Sequence, residues 1–145
     1  MSEIITLDSN VFRNQRFIDW LISPETIHIT HFFPLIVYIE VLVWYEMRGL
    51  TRDDFEDDLT KMKTKIIEFS IEYIDPLMAN IRSNPDFLFR HHARDYLIGT
   101  IVQETGSVLI TNNQRHFAWL TTSEVLTPET YLTKYLSKNQ TDDSL

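Results

Sequence analysis

The sequence predicts an α/β fold with three layers, in which helices cover both faces of a mainly parallel central sheet. Short segments rich in β-branched residues alternate along the chain with longer segments of helical periodicity. The segment over residues 4–7 (IITL) is short and apolar, which is typical of a buried strand. Parallel strands need long crossover connections, usually helices, so this alternation favours a parallel sheet.

The first half of the chain predicts two strand–helix units and one further helix. Ser23-Pro24 ends the first helix, because the residue before a proline disfavours helical backbone angles. Pro34 suits the first turn of the second helix, and Thr51 is a suitable N-cap for the third. In order, the predicted elements are a strand over 4–7, a helix from about 11 to 22, a strand over 26–33, a helix over 34–47 and a helix after 51.

The second half predicts two helices, a strand and a last helix. Residues 67–74 fit either a third strand or a continuation of the preceding helix. Asp75-Pro76 resembles an N-cap followed by the first residue of a short helix. A helix over 87–104 ends before Gly106, a strand follows over 107–111, and Thr127-Pro128 begins a last helix that runs to about residue 136.

Length and composition predict one domain and exclude several chemistries. The chain has 145 residues, 43% of them hydrophobic and 23% charged, which is ordinary globular usage. We expect one domain over residues 1–136 and a polar, flexible tail over 137–145. The absence of cysteine excludes disulfides, thiolate metal sites and a cysteine nucleophile.

The charge and hydropathy patterns predict a soluble cytoplasmic protein. A net charge of −8 is the wrong sign for a general polyanion binder, so any action on nucleic acid must come from a local site. The longest apolar run, residues 35–45, is interrupted by Glu40 and is shorter than the ~20 residues of a membrane span. We also expect no signal peptide, because the first residues lack a basic region and an apolar stretch.

Glu40 is the most informative single residue. Its neighbours over residues 35–45 are all apolar or aromatic, which predicts a helix that is buried on every side. An ionised carboxylate in such a place costs several kcal/mol, roughly, unless it is paired or binds a cation. A pair with a structural arginine, or a side chain that reaches outward, remains an alternative.

Asp8 and Asp95 are the other two candidate acids. Asp8 directly follows a predicted buried strand, although it also suits an N-cap or an Asx-turn. Asp95 lies on a predicted amphipathic helix and can alternatively pair with Arg94 or Arg90. Together with Glu40 they suggest an all-oxygen ligand set, which favours Mg²⁺ or Mn²⁺ over zinc and is typical of phosphoryl transfer.

Five segments, in this order and spacing, resemble the PIN domain of VapC-type toxin ribonucleases. The stretch with Thr111, Asn113 and His116 is the most specific of them. Nearly the whole chain takes part in the resemblance, which implies a three-layer α/β/α PIN-like fold. The segments are residues 4–11 (IITLDSNV), 37–42 (VYIEVL), 94–99 (RDYLIG), 108–117 (VLITNNQRHF) and 124–129 (EVLTPE).

The resemblance implies a metal centre in which Asp8, Glu40 and Asp95 are the ligands. Asn10 and Thr111 would orient these ligands or a bound water. The PIN family often has a fourth acid in the late segment, where this chain has Asn113 and His116. We therefore expect one well-held metal ion, and a weak second one that an RNA phosphate helps to hold.

The function implied by the resemblance is that of a metal-dependent endoribonuclease, the toxin of a toxin–antitoxin pair. It further implies a homodimer, an RNA substrate and a small antitoxin that blocks the site. Basic residues flank the acidic segments and predict phosphate contacts, although surface arginines are common: Arg13, Arg16, Arg90, Arg94 and Arg115. Two alternatives stay open, namely a non-catalytic module that binds RNA or protein, and an RNA-processing nuclease without an antitoxin.

Overall fold

The computed structural model describes residues 3–143, and the side chains up to Ser137. Within that range, the strands are β1 (Glu3–Leu7), β2 (Ile29–Pro34), β3 (Lys65–Ile67), β4 (Val108–Ile110) and β5 (Val125–Leu126). The helices are α1 (Gln15–Ile22), α2 (Leu35–Met47), α3 (Arg52–Met62), α4 (Ile74–Ser83), α5 (Phe89–Thr105) and α6 (Pro128–Asp143).

All five strands are parallel, in the order β3-β2-β1-β4-β5. Helix α3 packs on both α1 and α2, α4 packs on α5, and α6 packs on α1. The predicted α/β fold with a parallel central sheet and flanking helices is therefore confirmed. The chain leaves β1 towards β2 on one side, and β4 lies on the other side of β1. Such a reversal of strand order opens a crevice at the carboxyl edge of the sheet.

Helix α2 is buried on one side only, which corrects the prediction that it is buried all round. It packs against α3 and the sheet, and its outer face meets no other element of the described structure closely enough to cover it. Four side chains one turn apart form an exposed apolar stripe, here called the α2 stripe: Leu35, Ile39, Val43 and Met47, between 40% and 81% exposed. None of the described helices is both long and apolar enough to cross a membrane.

Residues 67–74 form neither a full strand nor a continuation of the preceding helix. Lys63 ends α3 in the left-handed conformation, with φ of 57°. The short edge strand β3 pairs only with β2, and a 3-10 turn at Ile71–Tyr73 then leads into α4. The ambiguity in the sequence arose because the same apolar residues serve an edge strand and a turn.

Helix α6 is longer than predicted, since it continues past Leu136 to Asp143. No glycine or proline follows Pro128, so nothing in the sequence ends the helix early. Tyr131 and Tyr135 are buried and anchor its first turns. The flexibility expected for residues 137–145 stays a prediction, and residues 144 and 145 lie outside the described residues.

Gly99 allows α5 to pack closely against the turn that follows β4. A Cβ atom at Gly99 would lie 2.5 Å from the indole ring of Trp119, which no real contact permits. The same indole N–H donates a hydrogen bond to the carbonyl of His116 at 3.0 Å. Because Gly99 lies one turn after Asp95 on α5, this contact fixes where Asp95 and His116 meet.

His31 is a buried histidine inside β2. Its side chain has only the Thr64 hydroxyl as a hydrogen-bond partner, at 3.3 Å, and its Nε2 atom has none. Burial lowers the pKa of His31 from 6.5 to about 4, because the charged ring cannot be solvated there. The folded protein therefore holds this ring neutral at pH values where the unfolded chain protonates it.

We predict that acid destabilises the fold through His31. Between pH 6.5 and about 4 the unfolded chain binds this proton and the folded chain does not, so the free energy of unfolding falls as the pH falls. The loss amounts to at most about 3 kcal/mol and is complete near the lower value. Urea unfolding across this range should show a smaller loss for His31→Gln than for the exposed control His91→Gln. Equal pH dependence in the two variants would contradict the prediction.

Candidate functional site

Asp8 and Thr111 lie side by side at the carboxyl edge of the sheet. Asp8 follows β1 and Thr111 follows β4, and the Asp8 N–H extends the ladder by donating to the Ile110 carbonyl at 3.0 Å. The Thr111 hydroxyl donates to Asp8 Oδ2 at 2.7 Å, and both residues are fully buried. The reversal of strand order thus brings residues from opposite ends of the chain into one crevice.

A small polar network holds this pair in place. The Thr111 hydroxyl accepts hydrogen bonds from the Asn113 N–H at 3.0 Å and from the Asn10 side-chain amide at 3.4 Å. The Asn10 carbonyl oxygen accepts from the Asn112 N–H at 3.1 Å. Asp8 is also the N-cap of the turn that follows it, because its Oδ1 accepts from the Ser9 N–H at 2.7 Å. The capping role and a place in a site are therefore compatible.

The guanidinium of Arg94 joins the three candidate acids. Its Nε donates to Glu40 Oε2 at 2.8 Å, and its Nη1 donates to Asp95 Oδ1 at 3.1 Å. Its Nη2 donates to Asp8 Oδ1 and, at 3.0 Å, to the Ser9 hydroxyl. Each guanidinium nitrogen thus binds one carboxylate. The structure contains both pairs that the sequence left open as alternatives. Glu40 has an arginine partner, and Arg94 is the partner of Asp95.

The surroundings of Arg94 hold it charged. Burial works against the charge, but the hydrogen bond to Glu40 and the negative charge of Asp8 outweigh it, so the pKa of Arg94 is raised above its ordinary value. The exposed fractions of the side chains are 0% for Asp8, 9% for Asp95, 29% for Arg94 and 36% for Glu40. Water therefore screens the two aspartates weakly, and the cation is needed to keep them together.

The second oxygens of the three carboxylates have different surroundings. Asp8 Oδ2 accepts from Thr111, and Asp95 Oδ2 lies 3.2 Å from His116 Nδ1 and 3.8 Å from His92 Nδ1. Glu40 Oε1 is buried and has no hydrogen-bond partner. Of the three carboxylates, only Glu40 therefore offers an unused buried oxygen.

The donor set fits a hard divalent cation in chemistry, since three carboxylates face one point and one buried carboxylate oxygen is unpartnered. The arrangement itself is set for a guanidinium. Among the described residues, no group of three His, Asp or Glu side chains is placed so as to hold a metal ion. Asp8, Glu40 and Asp95 are the residues that would hold it, through the aspartate oxygens that now accept from Arg94 and an oxygen of Glu40.

Two of the acids, Glu40 and Asp95, line a cleft of about 550 Å³, whereas Asp8 is buried behind Ser9 and Arg94. The two sides of the cleft differ in character, because one is aromatic and the other is formed by histidines. The Trp44 ring on the aromatic side lies 3.7 Å from the Arg48 guanidinium. The lining residues are Ser9, Asn10, Phe12, Arg13, Glu40, Val41, Trp44, His91, His92, Arg94, Asp95, Asn113 and His116.

The five arginines predicted to contact phosphate are distributed unevenly. Arg13 is exposed and lines the cleft, whereas Arg94 is engaged by the carboxylates. Arg16 lines a separate depression beside α6. Arg90 and Arg115 are exposed and are not among the lining residues. The structure therefore brings one free arginine, Arg13, to the mouth of the site.

Ser9, Phe12 and Trp44 belong to the site but had no such role in the sequence prediction. Ser9 could have been found from its neighbour, because it directly follows Asp8. Phe12 and Trp44 carried no signal, since their apolar side chains equally suit a core.

Comparison with solved structures defines the class of fold. A toxin–antitoxin complex from Klebsiella pneumoniae is 20% identical with a TM-score of 0.64, over 86% of this chain and 97% of that chain. VapBC2 from Rickettsia felis, bound to a DNA fragment of its promoter, is 17% identical with a TM-score of 0.51, over 84% of this chain and 96% of that chain. PAE2754 from Pyrobaculum aerophilum is 19% identical with a TM-score of 0.56, over 94% of this chain and 99% of that chain.

No protein-family model matches the chain, and no curated protein matches its sequence. The likeness is therefore one of fold. The chain shares its α/β fold with these three structures, which agrees with the PIN-like fold that the resemblance in sequence implied.

We predict that removing the Thr111 hydroxyl destabilises the site. In Thr111→Val the shape is retained, but the buried Asp8 Oδ2 loses its donor, which costs about 1–3 kcal/mol. Urea unfolding of this variant measures the loss, with Thr111→Ser as the control that keeps the hydroxyl. Equal stability of the valine variant and the parent protein would show that the bond contributes nothing.

Proposed function

We propose that this protein is a Mg²⁺- or Mn²⁺-dependent endoribonuclease. The observation that carries the proposal is the convergence of Asp8, Glu40 and Asp95, from three separate segments, on one guanidinium at the edge of a cleft in a PIN-like fold. Three carboxylates around one point need a cation, and a divalent cation there suits phosphodiester hydrolysis.

The bound metal would supply Lewis-acid activation of a water and neutralise charge that develops on the phosphate. The chain's own residues do the rest. Thr111 and Asn10 hold Asp8 in one orientation, and His116 lies against the second oxygen of Asp95. Asn113 adds an uncharged amide to the lining, so the chain offers no fourth negative charge there.

The cleft also suits single-stranded RNA. Trp44 and Phe12 provide an aromatic side on which bases can stack, and Arg13 places a positive charge at the mouth. The protein as a whole is acidic, with a net charge of −8. Binding of RNA must therefore depend on this local surface and on the cation in the site.

An antitoxin and a second copy of the chain are the proposed partners. Support for the antitoxin comes from the structural neighbours, two of which are described as a toxin–antitoxin complex and as VapBC2 bound to promoter DNA. The exposed α2 stripe favours contact with another protein, because a row of apolar side chains is costly to leave in water. Measurement of the oligomeric state of the free protein distinguishes which of the two partners contacts the α2 stripe.

We predict metal-dependent cleavage of RNA that leaves a 5′-phosphate and a 3′-hydroxyl. Mixed RNAs incubated with Mg²⁺ or Mn²⁺ should be cut, EDTA should stop the reaction, and Asp95→Asn should lose about a hundredfold or more in rate because one metal ligand is lost. Asp57→Asn, the same change on the exposed face of α3, serves as the control and should keep full activity.

Two results would contradict the nuclease. A 2′,3′-cyclic phosphate product would exclude attack by an activated water. Failure of the folded, metal-saturated protein to cut any RNA would favour the second candidate function, a non-catalytic module that binds RNA or protein. One observation favours that candidate, namely that Arg94 already neutralises part of the acidic cluster. A nuclease that acts without an antitoxin would cut RNA equally well and would lack a small neighbouring reading frame.

We predict that Arg13 contacts an RNA phosphate. Removal of its charge in Arg13→Ala should weaken binding of single-stranded RNA and reduce the slope of log K against log salt by about 0.7. Arg16→Ala is the matched control, because Arg16 lies in the depression beside α6. An unchanged slope in Arg13→Ala, or the same change in both variants, would contradict this contact.

A further inference from the structure

We propose that Arg94 is an internal plug: its guanidinium occupies the position of the catalytic cation and must leave before a metal ion can bind. This inference rests on the proposed nuclease function and adds a regulation of the same site. The observation behind it is that the three guanidinium nitrogens each bind a different one of the three carboxylates.

Arg94 and a metal ion would compete for the same atoms. The oxygens that face the common point are Asp8 Oδ1, Glu40 Oε2 and Asp95 Oδ1, and all three accept from Arg94. The other oxygens of the two aspartates point at Thr111 and His116. A cation shared by all three residues would therefore have to take the two aspartate oxygens that Arg94 now holds, together with either Oε2 or the unpartnered Oε1 of Glu40.

Arg94 can leave without refolding of the protein. The non-helical residue of α5 is His92, so Arg94 lies in the regular part of the helix that follows and its backbone need not move. Its side chain is 29% exposed and borders a cleft of about 550 Å³. Rotation about its side-chain bonds can carry the guanidinium into that space, while Ser9 and the carboxylates stay in place.

The plug lowers the apparent affinity for metal. Binding requires the form in which Arg94 has left, so the observed dissociation constant is the intrinsic one divided by the fraction of molecules in that form. The plug also neutralises part of a mutual repulsion among three carboxylates when no metal is bound. Removal of Arg94 should therefore destabilise the metal-free protein and strengthen metal binding at the same time.

The test is a titration with Mn²⁺ in the absence of RNA, followed by the EPR signal of the free ion. Arg94→Gln should bind Mn²⁺ about tenfold more tightly than the parent protein, or better. Arg13→Gln is the matched control, because it removes a positive charge from the same cleft without touching a carboxylate. Its affinity should change by less than about twofold, given the weak effect of screened surface charge.

A second measurement covers the case in which Arg94→Gln does not fold. In the parent protein the Arg94 Nε–H is held by Glu40, so its ¹⁵N resonance should be distinct and slow to exchange. Addition of Mg²⁺ should shift that resonance to the position of a free arginine. Arg94→Lys, which keeps the charge without the planar fork, should bind Mn²⁺ with an affinity between those of the parent and the glutamine variant.

The outcomes separate this inference from the proposed function. Equal Mn²⁺ affinity of the parent and Arg94→Gln, weaker binding by Arg94→Gln, or an Arg94 Nε–H resonance that Mg²⁺ leaves unchanged would overturn the plug. The two affinity results would leave a metal site, and so the nuclease, intact, and so would the unchanged resonance in a protein whose Mn²⁺ binding has been measured. Absence of Mn²⁺ binding in every variant would overturn both.

Discussion

The arrangement of the site depends on the electrostatic repulsion among the carboxylates of Asp8, Glu40 and Asp95. Asp8 is fully buried and Asp95 is nearly so. The guanidinium of Arg94 contacts both of them and also Glu40. Without a cation between them, these groups would repel each other in surroundings where water screens little. The helices that carry Glu40 and Asp95 can approach the sheet edge only because that charge is supplied. Arg94 supplies this positive charge in the structure. The chemistry of the site depends on which other cation can replace Arg94.

The topology of the sheet makes the convergence possible. Because β4 lies beside β1, the residues that follow these strands, Asp8 and Thr111, become neighbours although 103 positions separate them. Helix α5 then reaches the same edge. The tight contact between Gly99 and Trp119 fixes the position of α5 relative to the turn that follows β4. The site is thus a product of strand order and one close helix contact. None of its acids comes from a long flexible loop.

The sequence predicts the fold, and it singles out the three acids that the structure brings together, because both leave local traces. A buried strand followed by Asp8, and a carboxylate among apolar neighbours at Glu40, can be recognised from the residues next to them. The role of Arg94 cannot, since its partners Glu40 and Asp8 lie 54 and 86 positions away. The α2 stripe was missed for a similar reason, as composition shows that a helix is apolar but not which of its faces is covered. The end of α6 was missed because a polar helix that continues past its last buried residue resembles a tail.

Helix α2 carries two features on one rigid rod. Glu40 lines the cleft with its side chain 36% exposed, and Ile39 and Val43 of the α2 stripe lie one and three positions away on the exposed face. A helix of 13 residues moves as a unit, so a protein that grips the exposed face and tilts the helix would draw the Glu40 carboxylate away from Arg94. Binding of a protein to the α2 stripe would therefore change the electrostatic balance inside the cleft, because the stripe and Glu40 belong to the same helix.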